Sequence, residues 1–110
     1  MGRQTATLLA ILPEAIQCIT ARFQPVQIIL FGSWARGDAR PDSDLDLLVV
    51  LPSIQDKRAT TVELLRALNG LPISKDVIAT TPQEIATRGQ TIGNILHPAL
   101  KEGKVIYERH

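Results

Sequence analysis

Leu8, Leu12, Ile16, Ile19 and Phe23 recur at helical spacing, which predicts a first helix running through Phe23 and bent near Pro13, where the ring crowds the preceding turn. Gln24 and Pro25 break it. Val26 to Phe31 form an unbroken apolar run of the kind a strand shows when both its faces are covered. Trp34 to Gly37 read as a short helical turn, and Asp38 to Ser43, holding Pro41, as a loop into a second strand, Leu45 to Leu51, that should lie beside the first. Ser53 and Asp56 resemble a capping box, starting a helix whose Val62, Leu65 and Leu68 face the core before Gly70 ends it. A third strand follows at Ile73 to Ala79. Thr81, Pro82 and Glu84 have the order of a cap, a first-turn proline and a third-position acid, announcing a short helix to about Arg88. Ile92, Ile95, Leu96 and Leu100 propose one more helix, closed by Gly103, ahead of a last extended piece, Val105 to Tyr107. Strands alternating with helices predict an α+β (mixed α/β) chain, a small mixed β-sheet covered by helices.

Composition then limits the functions open to this pattern. A chain of 110 residues, 45% of them hydrophobic, has enough apolar surface for one core, so residues 1–110 are expected to form one domain. Twelve basic and 11 acidic side chains leave a formal charge of +1, too weak a field to predict direct nucleic-acid or membrane binding by charge alone. Partners have to be argued from the site. The single cysteine, Cys18, offers no internal disulfide or multi-cysteine metal site, no apolar stretch approaches the roughly 20 residues of a membrane span, and the N-terminus fits a secretory signal poorly. A cytoplasmic protein is expected.

The chemistry gathers around two aspartates. Asp44 and Asp46 stand two apart at the start of the second apolar run, and a strand repeats every second residue, so both carboxylates are expected on one face. About 4 Å apart, two such charges repel by roughly 4 kcal/mol at an effective dielectric near 20, a cost most simply offset by a divalent cation. Upstream, the first apolar run ends in Gly32 and Ser33, where the backbone can turn tightly and present amide donors beside a hydroxyl, an arrangement suited to phosphate.

Gly32, Ser33, ten residues, then Asp44, Leu45 and Asp46 resemble the glycine-serine and double-aspartate signature of the DNA polymerase beta-type nucleotidyltransferase superfamily. Leu30 to Ser33, Ala35 to Gly37 and Ser43 to Leu47 are similar, residue by residue, to the motifs of its smallest branch, the minimal nucleotidyltransferase antitoxins, and the resemblance runs from the first helix to Tyr107. It implies a polymerase beta-like fold and a nucleotide site. Asp44 and Asp46 would hold one or two Mg2+ ions against the triphosphate of ATP, Gly32 and Ser33 would receive the phosphates, and Arg36 would add a charged donor. The superfamily's third acid maps to Asp76, as metal ligand or as base toward the incoming hydroxyl. Lys75, by alternation, faces the other way. The resemblance further implies the partner, a cognate HEPN-domain RNase toxin, and the reaction, transfer of AMP from ATP to a tyrosine hydroxyl of that toxin with release of pyrophosphate.

Two other readings keep the same fold. In one the protein neutralises its partner by binding alone; in the other it nucleotidylates a small-molecule hydroxyl. Trp34 is open to base stacking or to packing, His97 reads as structural, and Tyr107 is the only tyrosine available for self-modification.

Overall fold

The computed structural model describes residues 2–40, 42–88 and 101–109, with side chains from residue 10 onward except that of Arg88. In chain order these form α1 (Gly2–Thr20), β1 (Gln27–Phe31), α2 (Ser33–Arg36), β2 (Leu45–Val50), α3 (Lys57–Ala67), β3 (Lys75–Thr80), α4 (Pro82–Arg88) and β4 (Lys104–Glu108). The expected mixed sheet is present, with strand order β3-β2-β1-β4. β1 lies antiparallel to both β2 and β4, whereas β2 and β3 run parallel and are joined by α3.

Strand alternation divides the sheet into two apolar layers. Ile28, Leu30, Leu45, Leu47, Val49, Val77 and Ala79 project to one side and share a core with Ile11, Ala15 and Ile19 of α1 and with Leu64 and Leu68 around α3. On the other side Ile29, Leu48 and Val50 pack with Val26, Phe31, Ile78 and Ile85. β2 is therefore covered on both faces, as its continuous apolar sequence predicts, and each of its fully buried leucines contributes roughly 1.5–3 kcal/mol. Burial fixes its register.

Several expectations change in detail. The inward line of α1 is Ile11, Ala15 and Ile19 at four-residue intervals, while Leu12, Ile16 and Phe23 pack only partly against the core. Pro13 sits inside α1 on its exposed side, so the helix accommodates its ring without burying it. Ser53 does not cap α3. The cap is Asp56, whose carboxylate accepts the Ala59 amide at 3.0 Å, because an acceptor at the N-cap can satisfy a first-turn donor and Ser53 lies too far ahead. With the start set there, Leu64 and Leu68 turn inward, and Val62 and Leu65 remain 43% and 37% exposed rather than facing the core. By contrast, the Thr81 hydroxyl accepts the Glu84 amide at 3.1 Å and Pro82 opens α4, as its cap sequence predicts. The helix expected over Ile92, Ile95, Leu96 and Leu100, with His97, lies outside the described residues. Among the described residues no helix is long and apolar enough to cross a membrane.

Candidate active site

β1 ends at Phe31, which pairs with Asp46, and Asp46 in turn pairs across the parallel ladder with Asp76. Asp46 and Asp76 therefore share a sheet face with Leu48 and Ile78, side by side at one end of adjacent strands. Asp44 lies one residue ahead of β2 and is exposed, and Leu45 is fastened in place by donating its amide to the Ser74 carbonyl at 2.8 Å.

The chain leaves β1 through a turn only glycine tolerates. Gly32 adopts φ 74° and ψ −157°, a region essentially closed to side chains. A Cβ there would collide with Asp46 Oδ2 and come within 3.0 Å of its Cγ. The backbone of the turn thus rests directly against the carboxylate. Gly32 accepts the Ala35 and Arg36 amides at 3.1 Å, starting α2, and Gly37 closes it in the left-handed conformation, φ 85°, donating to the Ser33 carbonyl at 3.0 Å. The Ser33 and Trp34 amides, first in the helix, have no helical acceptor by position. Ser33 is half-buried beside them.

Electrostatics single out Asp46. Burial, then the charges of Asp76 and Asp44, push its carboxyl above its ordinary value, with Arg36 opposing them. The acids thus feel one another, and the net field at Asp46 is one that disfavours a further negative charge. Among the described residues no hydrogen bond or ion pair reaches the carboxylates of Asp44, Asp46 or Asp76, nor do three acidic, histidine or cysteine side chains converge tightly enough to hold one ion. An all-carboxylate oxygen set of this kind fits a hard divalent cation.

One neighbour of the site, Glu102, was invisible in the sequence pattern. Arg36 donates from Nε to Asp38 at 3.3 Å and from Nη1 to Glu102 at 3.2 Å, both on the surface, and these acids raise its pKa. Asp38 stands close in sequence, but Glu102 is 66 residues away and carries no motif. The Trp34 indole donates to the Ser43 carbonyl at 3.4 Å, tying α2 to the residue that precedes Asp44, and Ser43 Oγ in turn accepts the Arg40 amide at 2.7 Å. Trp34 packs against the main core, which favours its structural reading. Lys75 points away from the acids, donating to the Leu71 and Ile73 carbonyls at 3.1 and 2.9 Å.

A family model described as the nucleotidyltransferase domain matches residues 12–98, which take in the second half of α1, the glycine turn and all three acids. The chain belongs to this family. As a nucleotidyltransferase it falls in a group that generally works on nucleoside triphosphates with a divalent metal. It is 32% identical over 108 residues to a Methanocaldococcus jannaschii protein named "putative protein adenylyltransferase", covering 90% of this chain and 71% of that one. Among solved structures it resembles a "putative nucleotidyltransferase" from Sulfolobus solfataricus, with TM-score 0.67 and 20% identity over 96% of this chain and 86% of the other. A toxin-antitoxin structure with AMP-PNP matches at TM-score 0.60 and 19% identity, over 90% of this chain and 74% of that chain. The tri-AMPylated Shewanella oneidensis HEPN toxin in complex with MNT antitoxin gives 0.53 and 18%, over 92% and 72%. At such identities the structural likeness shows the nucleotidyltransferase fold.

Proposed function

We propose that this nucleotidyltransferase is an antitoxin that transfers AMP from ATP to a tyrosine hydroxyl of a cognate HEPN-domain toxin, releasing pyrophosphate. The observation that carries the reading is the close approach of the Gly32 turn to Asp46, with Asp76 next to it in register. The names of the relatives support the rest, since one is called a protein adenylyltransferase and one structure joins an AMPylated HEPN toxin to an MNT antitoxin.

In this reading Asp44, Asp46 and Asp76 would hold Mg2+, which would supply positive charge to offset the triphosphate. Gly32 lets the backbone approach the phosphates, and the Ser33 amide and hydroxyl donate to the β and γ oxygens that depart. Arg36 adds a charged donor on the same turn. Among the described residues β3 is an edge strand of the sheet, and Asp76 stands on it. The Asp76 carboxylate takes the tyrosine proton as the phenolic oxygen bonds to the α-phosphorus, and the bond from that phosphorus to the bridging oxygen breaks to free pyrophosphate. The added phosphate group places negative charge on the toxin, which repels an RNA substrate.

The test incubates the purified protein, a HEPN-domain toxin as candidate partner, magnesium and ATP labelled at the α-phosphate. Label is expected on a partner tyrosine. A partner that is bound and silenced without acquiring label would replace catalysis with neutralisation by binding.

A further inference from the structure

Arg36 is held before any nucleotide arrives. Its guanidinium is gripped on two sides, Nε by Asp38 at 3.3 Å and Nη1 by Glu102 at 3.2 Å, which leaves Nη2 without a partner among the described residues. The two acids come from different parts of the fold, Asp38 from just beyond α2 and Glu102 from two residues ahead of β4. Two carboxylates on separate edges of a planar fork restrict its position and its plane more than a single exposed pair does. As an element of stability this cradle is minor, because all three side chains are substantially exposed, at 46%, 63% and 43%, and exposed pairs contribute little. Its consequence is orientation.

We infer that Glu102 is a positioning residue for the nucleotide site, holding Arg36 so that its remaining donors face the triphosphate. The inference rests on the reading of Gly32, Ser33 and Arg36 as the phosphate-binding elements. An arginine side chain carries considerable rotamer freedom that a ligand must otherwise remove on binding, and the cradle removes it in advance. Arg36 also lies near enough to oppose the raised pKa of Asp46, so the guanidinium already shares the field of the acid cluster. Nothing in the sequence pattern connects residue 102 to this turn.

The sign of the effect separates positioning from simple competition. Glu102→Gln removes a negative charge close to an anion site, so general electrostatics, or release of an arginine trapped by Glu102, makes the variant bind nucleotide more tightly. Positioning makes it bind more weakly. The experiment titrates a non-hydrolysable ATP analogue with magnesium into four forms of the full chain: wild type, Glu102→Gln, Arg36→Gln and the double variant, with thermal melts alongside. Expected is a loss of affinity of roughly three- to tenfold in Glu102→Gln, partial recovery in Glu102→Asp, and no further loss when Glu102→Gln is added to Arg36→Gln, because the acid acts through the arginine. Melting temperatures should stay close to wild type. Equal or tighter binding by Glu102→Gln overturns the inference, as does an equal loss in the Arg36→Gln background. A wild-type chain that binds no magnesium-nucleotide overturns the reading of the site itself, and the inference with it.

Discussion

β2 and β3 run side by side, and their two ends treat polar groups in opposite ways. At the far end, Thr80 is fully buried, yet its hydroxyl donates to Glu84 Oε1 at 2.5 Å, and Lys57 reaches both oxygens of the same carboxylate at 2.8 and 3.0 Å. That cluster joins β3, α4 and the start of α3, and its charge is matched. At the near end Asp46 and Asp76 pair in register with Asp44 close by, and among the described residues no ion pair offsets them. Same strands, same alternation, yet one end is neutralised and the other carries surplus negative charge. A fold under selection for stability alone would balance both; surplus charge beside an amide-lined bend is what binding a cation and a triphosphate requires.

The sharpest way to break this contrast is Asp46→Asn. Cation-dependent transfer should fall on the order of a thousandfold or more, because the carboxylate nearest the glycine turn is lost, and single-turnover assays with labelled ATP measure it. Stability should move in the other direction. The folded chain holds a proton on Asp46 more tightly than the unfolded chain does, so ionising it costs stability as pH rises through the raised pKa, and the cost persists at neutral pH. Asn removes that cost, so Asp46→Asn should melt above wild type at pH 7, a gain that vanishes below the unfolded carboxylate range. A loss of stability at pH 7 would refute the idea that the near end is strained by charge.

Gly32→Ala tests the same end through the backbone. A Cβ would strike Asp46 while φ 74° is itself costly, so transfer should drop roughly a hundredfold and stability by roughly 1–3 kcal/mol. Normal activity would mean that the turn and the acid do not act together.

At the other end the pattern inverts. Glu84→Ala leaves the Thr80 hydroxyl buried without its acceptor and should cost roughly 1–3 kcal/mol in chemical denaturation while transfer by the folded protein stays unchanged. Altered kinetics with intact folding would show that the two ends are not separable. Smallest of all is Trp34→Phe, which removes the long bond to the Ser43 carbonyl and trims a ring packed partly against the core; transfer should fall roughly threefold, with a raised magnesium requirement as the residue before Asp44 loosens.

The near end was the more legible of the two. Gly32, Ser33, Asp44 and Asp46 lie within one short stretch, and two apolar runs flank them, so strand pairing alone brings the turn and the acid together. Asp76 was reached through the resemblance, as the only acid inside the expected third strand; the parallel register that sets it beside Asp46 belongs to the fold and not to local spacing. α3 was harder. Val62, Leu65 and Leu68 fit a helical stripe, and so do Leu64 and Leu68; only the layer of α1 and β3 beneath the helix selects the second set. The Lys57, Glu84 and Thr80 cluster and the Arg36 to Glu102 bond link residues distant in sequence, and local spacing carries no trace of such contacts.

The central claim is that surplus charge at the near end exists to bind a cation with a nucleotide. Titration calorimetry of magnesium and an ATP analogue into wild type and Asp46→Asn addresses it most directly, with the melting temperature of each form recorded in the absence of both ligands. The account predicts cation-dependent nucleotide binding by wild type, and its loss in a variant that melts higher. Nucleotide binding that is equal in the two proteins would contradict it.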